Sequence, residues 1–192
     1  LAMRGRLVKL NDAWAEEARA AGGVFDPMRI GIGLNTGLCC VGNMGSDQRF
    51  DYSVLGDDVN PASRLEGQSK VYGVDIIASE AALAGVDGFA VLEIDLIRVK
   101  GRARPVRIFH LVGDEVRAAS EAFTRLSAAH GEMLRAYRAR DWDGAEAALA
   151  RCREAVPPPL APLYALYARR IAAFRAQPPA AGWDGIHDAT DK

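Results

Sequence analysis

The residues with the clearest chemical potential are an amide and a guanidinium four positions apart, Asn60 and Arg64, in the segment RFDYSVLGDDVNPASRLE (49–66). The first part of the segment mixes aromatic and β-branched residues and stops at Gly56, which predicts a strand. The second part predicts a helix with Asp57 as its N-cap, on which Asn60 and Arg64 share one face. This pair, placed just after a buried strand, suits a site that handles phosphate groups.

The elements that must position this pair divide the chain into two parts at about residue 114. Upstream, helical patterns over 6–21 and 57–72 alternate with strand patterns, and turn-forming residues over 43–47 predict a hairpin. This mixture predicts an α+β fold rather than a doubly wound sheet. The predicted strands are 28–34, 37–42, 49–55, 74–78, 89–99 and 106–112. Downstream, an alanine-, leucine- and arginine-rich sequence predicts helices over 129–139, 142–156 and 160–176, followed by a short polar end.

Composition and charge limit the class of protein to which the chain can belong. Hydrophobic residues make up 49% of the chain and charged residues 26%, as in ordinary globular proteins, and the net charge of −1 indicates no bulk attraction to nucleic acid or acidic membranes. No apolar run approaches the roughly 20 residues that cross a bilayer. The three cysteines (Cys39, Cys40, Cys152) predict reduced thiols in a cytoplasmic protein, with the first two packing as small apolar residues. The chain begins with Leu1, so we expect a piece of a longer protein.

Four segments carry a family resemblance: RIGIGLNTG, VGNMGSDQRFDYSVLGDDVN, ASRLE, and the VKG of 99–101. In this order and spacing they resemble the C-terminal part of class III nucleotide cyclase catalytic domains, especially bacterial adenylate cyclases. The resemblance implies an incomplete ferredoxin-like cyclase domain with an antiparallel-rich sheet over 1–113, followed by an all-α tail over 114–192. It also implies a bacterial signalling lyase that converts ATP to 3′,5′-cyclic AMP and pyrophosphate.

The resemblance assigns roles to five residues. Arg64 matches the arginine that stabilises the transition state, and Asn60 matches the asparagine that orients the ribose. Lys100 matches the lysine that contacts the terminal phosphates, and Arg49 is placed near the same phosphates. Ser53 falls on the position that reads the purine, where a hydroxyl can accept from adenine or donate to guanine. ATP is therefore favoured by the resemblance and not by this side chain.

The metal site of the family is not recognisable in this sequence. Class III cyclases bind two Mg²⁺ or Mn²⁺ ions through two aspartates on strands that precede the matching segments. Asp12 and Asp26 lie in the wrong context to replace them, and none of the three histidines has a metal partner at a useful spacing. We therefore expect no metal site in this chain and no turnover by it alone.

The family builds its site across a dimer interface, which implies a homodimer or an intact cyclase half as partner, with ATP as substrate. No nucleic-acid partner is expected. We expect a cytoplasmic location, with any membrane attachment through segments upstream of this chain.

Three alternatives stay open. Asn60 and Arg64 can also cap and salt-bridge an ordinary surface helix. An inactive, nucleotide-binding cyclase-like regulator is a second reading, because Pro61 stands where the family usually has an aliphatic residue. The tail supplies the third, a helical interaction module, because it resembles one tetratricopeptide unit. The residues that carry this last resemblance are Tyr137, Asp141, Trp142, Ala145 and Ala148.

Overall fold

The computed structural model describes residues 1–46, 49–99, 104–155 and 160–189. Helices and strands alternate as far as residue 113, and helices dominate after it. In chain order the elements are α1 (Ala2–Ala20), β1 (Ile32–Leu34), β2 (Cys40–Ser46), β3 (Arg49–Leu55), α2 (Val59–Tyr72), β4 (Ile76–Ser79), α3 (Glu80–Leu83), β5 (Ala90–Val99), β6 (Val106–Gly113), α4 (Glu115–Ala118), α5 (Glu121–Arg138), α6 (Trp142–Ala155), α7 (Ala161–Ala176) and β7 (His187–Ala189).

Five strands form one mixed sheet in the order β1-β4-β6-β5-β7. β1 runs parallel to β4, while β6 lies antiparallel to both of its neighbours, β4 and β5. Every residue of β4 is buried, as expected for a strand that is covered on both faces. The predicted α+β class is confirmed. The tail, which we expected to be all-α, also adds β7 in parallel to the far side of β5.

Strands β2 and β3 form a separate two-stranded antiparallel sheet. The predicted turn over 43–47 is wrong for the residues that the structure describes there, because Asn43 and Met44 lie within the ladder and pairing continues to Ser46 opposite Arg49. The residue types at these positions favour a turn, but the main-chain hydrogen bonds with β3 outweigh this preference and extend the hairpin. The hairpin therefore extends further than its sequence indicates.

Helix α1 is attached by polar contacts more than by burial, since none of its side chains is buried. The Arg4 guanidinium donates to the carbonyl of Val112 at 2.8 Å. The Asn11 side chain exchanges two hydrogen bonds with the backbone of Met28, at 2.9 and 3.0 Å. These contacts hold α1 against β6 and against the chain that leads into β1.

The helices of the tail share a hydrophobic core with the sheet. α5 packs on β5, α6 packs on α5 and α7, and α7 reaches α2. One cluster of buried side chains joins Leu65 and Tyr72 of α2, Leu92 of β5, and Tyr164 and Tyr167 of α7. The last two are fully buried, so they are core side chains and do not line a peptide groove.

The segment after α7, which we call the C-terminal strap (178–189), is fixed to the tail. Arg140, a non-glycine residue with φ of 61°, donates from Nη2 to the carbonyls of Ala180, Ala181 and Trp183 at 2.6, 2.7 and 3.1 Å. The Trp183 ring packs against aromatic rings of α5, α6 and α7, with centroid distances from 5.0 to 6.3 Å. The strap is therefore fixed to the tail at 180–183, and its last three residues form β7.

Candidate active site on helix α2 and the β2–β3 hairpin

Helix α2 has two chemically different faces. Its buried residues are Pro61, Leu65, Gln68, Ser69 and Tyr72. Asn60 and Arg64, one turn apart on the same face, are both exposed. The sequence prediction that these two side chains share a face is consistent with this arrangement, and the packing of α2 directs that face away from the core.

The ends of α2 differ in how they are capped. Asp58, and not the predicted Asp57, occupies the N-cap position, and its side chain accepts no capping hydrogen bond. At the other end Gly73 adopts the left-handed conformation, with φ of 64°, and its N–H bonds to the carbonyl of Ser69, as predicted for a glycine that ends a helix. The C-terminal end is thus fixed by its own backbone, while the N-terminal end needs other support.

That support comes from three residues to which the sequence analysis gave no role: Asn35, Gly37 and Ser79. The Asn35 amide donates to the carbonyl of Asp58 at 2.8 Å, and the buried Ser79 hydroxyl donates to Asn35 Oδ1 at 2.6 Å. Gly37 lies so close that an added Cβ would stand 2.1 Å from Asp58 Oδ2. Asn35 and Gly37 belong to the RIGIGLNTG segment, so the signal for this role was present in a motif already recognised.

Pro61 fits within α2 without interrupting it. The helix runs from Val59 to Tyr72, and Pro61 is the third residue of its first turn, where a backbone N–H has no intrahelical partner. Its ring is buried. The proline therefore removes no hydrogen bond from the helix that carries Asn60 and Arg64.

The β2–β3 hairpin presents Ser53 on an exposed strand. Ser53 pairs directly with Gly42, where an added Cβ would meet nothing within 4 Å, so the surface beside the hydroxyl is open. Several large apolar side chains of the hairpin and its approach are exposed: Leu38 by 91%, Tyr52 by 77%, Leu55 by 63% and Val41 by 58%. Cys39 and Cys40 are exposed here as well, so the expectation that they pack as apolar residues is wrong.

The two remaining predicted residues are Arg49 and Lys100. Arg49 is the first residue of β3, paired with Ser46. Lys100 lies outside the described residues, and β5 ends immediately before it at Val99. A cavity of about 190 Å³ borders the start of α2, lined by Asn35, Pro61 and Ser79 among others. This volume is below the roughly 300 Å³ at which small-molecule pockets begin, so this cavity alone is too small for a nucleotide.

The described residues contain no group of three or more His, Cys, Asp or Glu side chains that could hold a metal ion. Within the same residues, no helix combines the length and apolar character required to span a bilayer.

The match to a known protein family ends at the same residue as strand β6. Residues 7–113 match the model of the family described as adenylate and guanylate cyclase catalytic domain. Adenylate cyclase 1 of Rhizobium meliloti is 37% identical over 114 residues, which is 59% of this chain and 16% of the relative. Adenylate cyclase of Anabaena cylindrica is 32% identical over 113 residues, 57% of this chain and 22% of the relative. The chain thus spans less than a quarter of the length of these relatives.

Among solved structures, the adenylyl cyclase CyaB from P. aeruginosa shares 36% sequence identity, with a TM-score of 0.49, over 59% of this chain and 55% of that one. The family match covers more than half of the chain and includes α2 and the β2–β3 hairpin. The chain therefore belongs to the adenylate and guanylate cyclase catalytic domain family.

Proposed function

We propose that residues 1–113 form the substrate-orienting part of an adenylate cyclase catalytic domain, and that residues 114–192 form a helical tail attached to it. The complete enzyme converts ATP to 3′,5′-cyclic AMP and pyrophosphate. The ribose 3′-hydroxyl gives up its proton, its oxygen bonds to the α-phosphorus, and the bond between the α-phosphorus and the departing pyrophosphate oxygen breaks. The observation that carries this proposal is the exposure of Asn60 and Arg64, side by side, on a helix whose opposite face is buried.

Arg64 and Asn60 act on different parts of the nucleotide. The planar guanidinium of Arg64 offers several N–H donors to the oxygens of the transferring phosphate, where negative charge must be stabilised. Asn60, one turn earlier, orients the ribose so that its 3′-oxygen faces the α-phosphorus. Support comes from α2 itself, which holds both residues on one rigid exposed face.

The remaining predicted residues bind either the base or the phosphates of the nucleotide. Ser53 reads the purine from the open surface of the hairpin, where its hydroxyl accepts from the adenine 6-amino group. Arg49 and Lys100 are assigned to the phosphates, with Lys100 following the end of β5. The preference for ATP over GTP rests on the family relatives named adenylate cyclase, because a hydroxyl can serve either base.

The site is completed by a second protomer, either another copy of this protein or an intact cyclase half. The exposed apolar side chains of the hairpin, including Tyr52 and Leu55, make a surface of the kind that proteins bury on association. The two Mg²⁺ or Mn²⁺ ions are assigned to aspartates of that partner, because the family's metal-binding aspartates are not recognisable in this sequence. We place the domain in the cytoplasm, where ATP is available.

A complementation experiment tests this proposal. The chain is mixed with an intact cyclase protomer that keeps its metal-binding aspartates but carries alanine at its own asparagine and arginine. Neither component makes cyclic AMP alone, and the mixture is expected to do so. The matched control is the chain with Asn60→Ala and Arg64→Ala, which should restore nothing.

No cyclic AMP from the mixture, together with retained ATP binding, would favour the inactive regulator instead. The interaction-module alternative predicts that removal of 114–192 from the full-length protein abolishes partner binding and leaves cyclase activity unchanged.

A further inference from the structure

A buried ionic contact joins the tail to helix α2. Asp95 of β5 is only 1% exposed, and its Oδ2 accepts from Arg170 of α7 at 2.6 Å and from the Tyr72 hydroxyl of α2 at 2.5 Å. The Arg170 guanidinium also lies over the rings of Tyr72 and Tyr167, at 5.5 and 5.6 Å from their centroids. One side chain of the tail therefore contacts the last residue of α2 and the strand beneath it.

This contact has features that a simple packing contact lacks. A charged pair removed from water is stable only when its geometry and its additional hydrogen bonds are good, and apolar residues of similar volume often serve stability as well. Burial, with the carboxylate of Asp95 beside it, raises the pKa of Tyr72 well above its usual value, so the phenol remains a hydrogen-bond donor. The arrangement fixes the relative orientation of three elements.

The end of α2 meets α7 at a second point. Gly73, the residue that ends α2, lies so close to the first turn of α7 that an added Cβ would stand 2.4 Å from the Cβ of Pro162. Pro162 and Arg170 are eight residues apart, which is about 12 Å along a helix. Two contacts at this spacing restrain both the position and the direction of α2.

The tail also supplies hydrogen-bond partners to two backbone carbonyls of β5. The pairing of β5 with β6 is irregular between Glu93 and Asp95. At this irregularity Tyr167 donates to the carbonyl of Ile94 at 2.5 Å, and Nε2 of the buried His130 lies 2.6 Å from the carbonyl of Glu93. β-bulges are frequent beside active sites, where they redirect a strand. Here both carbonyls obtain their partners from the tail.

We propose that Arg170 is a positioning residue for nucleotide cyclisation, which holds α2 so that Asn60 and Arg64 meet the substrate correctly. This inference rests on the proposed function of these two residues. Arg64 lies eight residues, or about 12 Å, from Tyr72 on the same helix. A change of helix direction at Tyr72 is therefore carried to the guanidinium, and a misplacement of about 1 Å can cost a reaction about a hundredfold. Arg170 is thus the residue through which the tail acts on the reaction.

The substitution Arg170→Lys tests this role in the full-length protein. Lysine keeps the charge but lacks the planar fork that reaches both the Asp95 carboxylate and the Tyr72 ring. We expect kcat to fall about tenfold while the KM for ATP changes by less than about twofold, because the ground-state contacts of the nucleotide are retained. Amide hydrogen exchange over 59–72 is expected to accelerate at least about tenfold.

The matched control is Leu149→Ala. Leu149 is buried in α6, which packs on α5 and α7, so its loss destabilises the tail without removing the contact to α2. Compared with Arg170→Lys under conditions where both are fully folded, it should leave kcat and the exchange of 59–72 near their wild-type values. Tyr72→Phe, which keeps the ring and loses the hydroxyl, should fall between wild type and Arg170→Lys in both measurements.

Two results would overturn the inference: equal effects of Arg170→Lys and Leu149→Ala on kcat, or unchanged exchange of 59–72 in Arg170→Lys. The exchange measurement requires no catalysis. If the full-length wild-type protein made no cyclic AMP, the proposed function would fail. Unaltered exchange of 59–72 in Arg170→Lys would separately refute the restraint of α2 by the tail.

Discussion

The outer and inner faces of helix α2 belong to two different environments. The outer face carries Asn60 and Arg64, which are both exposed. The inner face, from Leu65 to Tyr72, is buried against the sheet and the tail and ends in a hydrogen-bonded ionic contact. Under the proposed function, the reacting groups and the packing contacts lie on opposite sides of one helix, so substitutions of the adjacent residues Arg64 and Leu65 can disturb them separately.

The largest effect is expected from Arg64→Ala. Removing the guanidinium from the complete enzyme should lower kcat at least about a hundredfold with little change in ATP affinity, because this group acts on charge that develops during the reaction. Since Arg64 is exposed, the free energy of unfolding should change by less than about 1 kcal/mol. Steady-state kinetics and urea unfolding measure the two quantities. An unchanged kcat would remove Arg64 from the mechanism.

Its neighbour on the inner face should show the reverse pattern. Leu65 is 2% exposed, so Leu65→Ala leaves a cavity and should lower the free energy of unfolding by about 3 kcal/mol. The kcat per folded molecule should stay within about threefold of wild type. Urea unfolding monitored by circular dichroism gives the first value, and kinetics corrected for the folded fraction give the second. A loss of kcat as large as that of Arg64→Ala would show that the two faces are not separable.

A smaller effect is expected on the hairpin. Ser53→Ala removes one hydrogen-bonding group from the base and should change the ratio of kcat/KM for ATP to that for GTP by about fivefold, the equivalent of about 1 kcal/mol. The rate of the chemical step should change less than this ratio. Competition between the two nucleotides in one assay measures it directly. A fixed ratio would mean that the base is read elsewhere.

The last expected effect is a pH dependence of stability that comes from the buried side of the helix and its neighbours. A carbonyl can only accept, so His130 donates from Nε2 to Glu93, and its Nδ1 accepts from the Tyr164 hydroxyl. Burial lowers the pKa of His130 below its usual value of 6.5 and keeps the ring neutral. Because the unfolded chain then binds more protons, stability is full above pH 6.5 and falls as the pH drops below it, by at most about 1.4 kcal/mol per pH unit.

Urea unfolding between pH 7.5 and 5.5 checks this slope. His130→Gln should flatten it. Burial lowers the pKa of His110 as well, and this residue, whose Nδ1 lies 2.9 Å from the Ile76 carbonyl, should account for a remaining slope of the same sign. Identical slopes in wild type and His130→Gln would contradict the assignment.

The contacts of the two faces also differ in whether they could be predicted from the sequence. The helix over 57–72 and its end at Gly73 follow from local signals, and the exposed pair Asn60 and Arg64 lies within one motif, so these were predictable. Asp95 and Arg170 are 75 positions apart, and no local pattern indicates that the two charges meet. The docking of the strap through Arg140 is hidden for the same reason.

In the hairpin, by contrast, a local sequence signal is present but predicts the wrong conformation. Its residues over 43–46 favour turns by type, but pairing with β3 determines their conformation. The N-terminal support of α2 by Asn35 lay within a recognised motif, yet its partner Ser79 is 44 positions away, so only the fold reveals the contact.

The parallel pairing of β7 with the last residues of β5 has a practical consequence for preparing this protein. If the chain were cut at residue 113, where the family match ends, the outer edge of β5 would lose its neighbour over Ile97–Val99. Unpaired strand edges recruit other molecules, and the apolar side chains now covered by α5 would be wetted as well. We therefore expect a domain trimmed in this way to aggregate more readily than the chain that continues through Ala189.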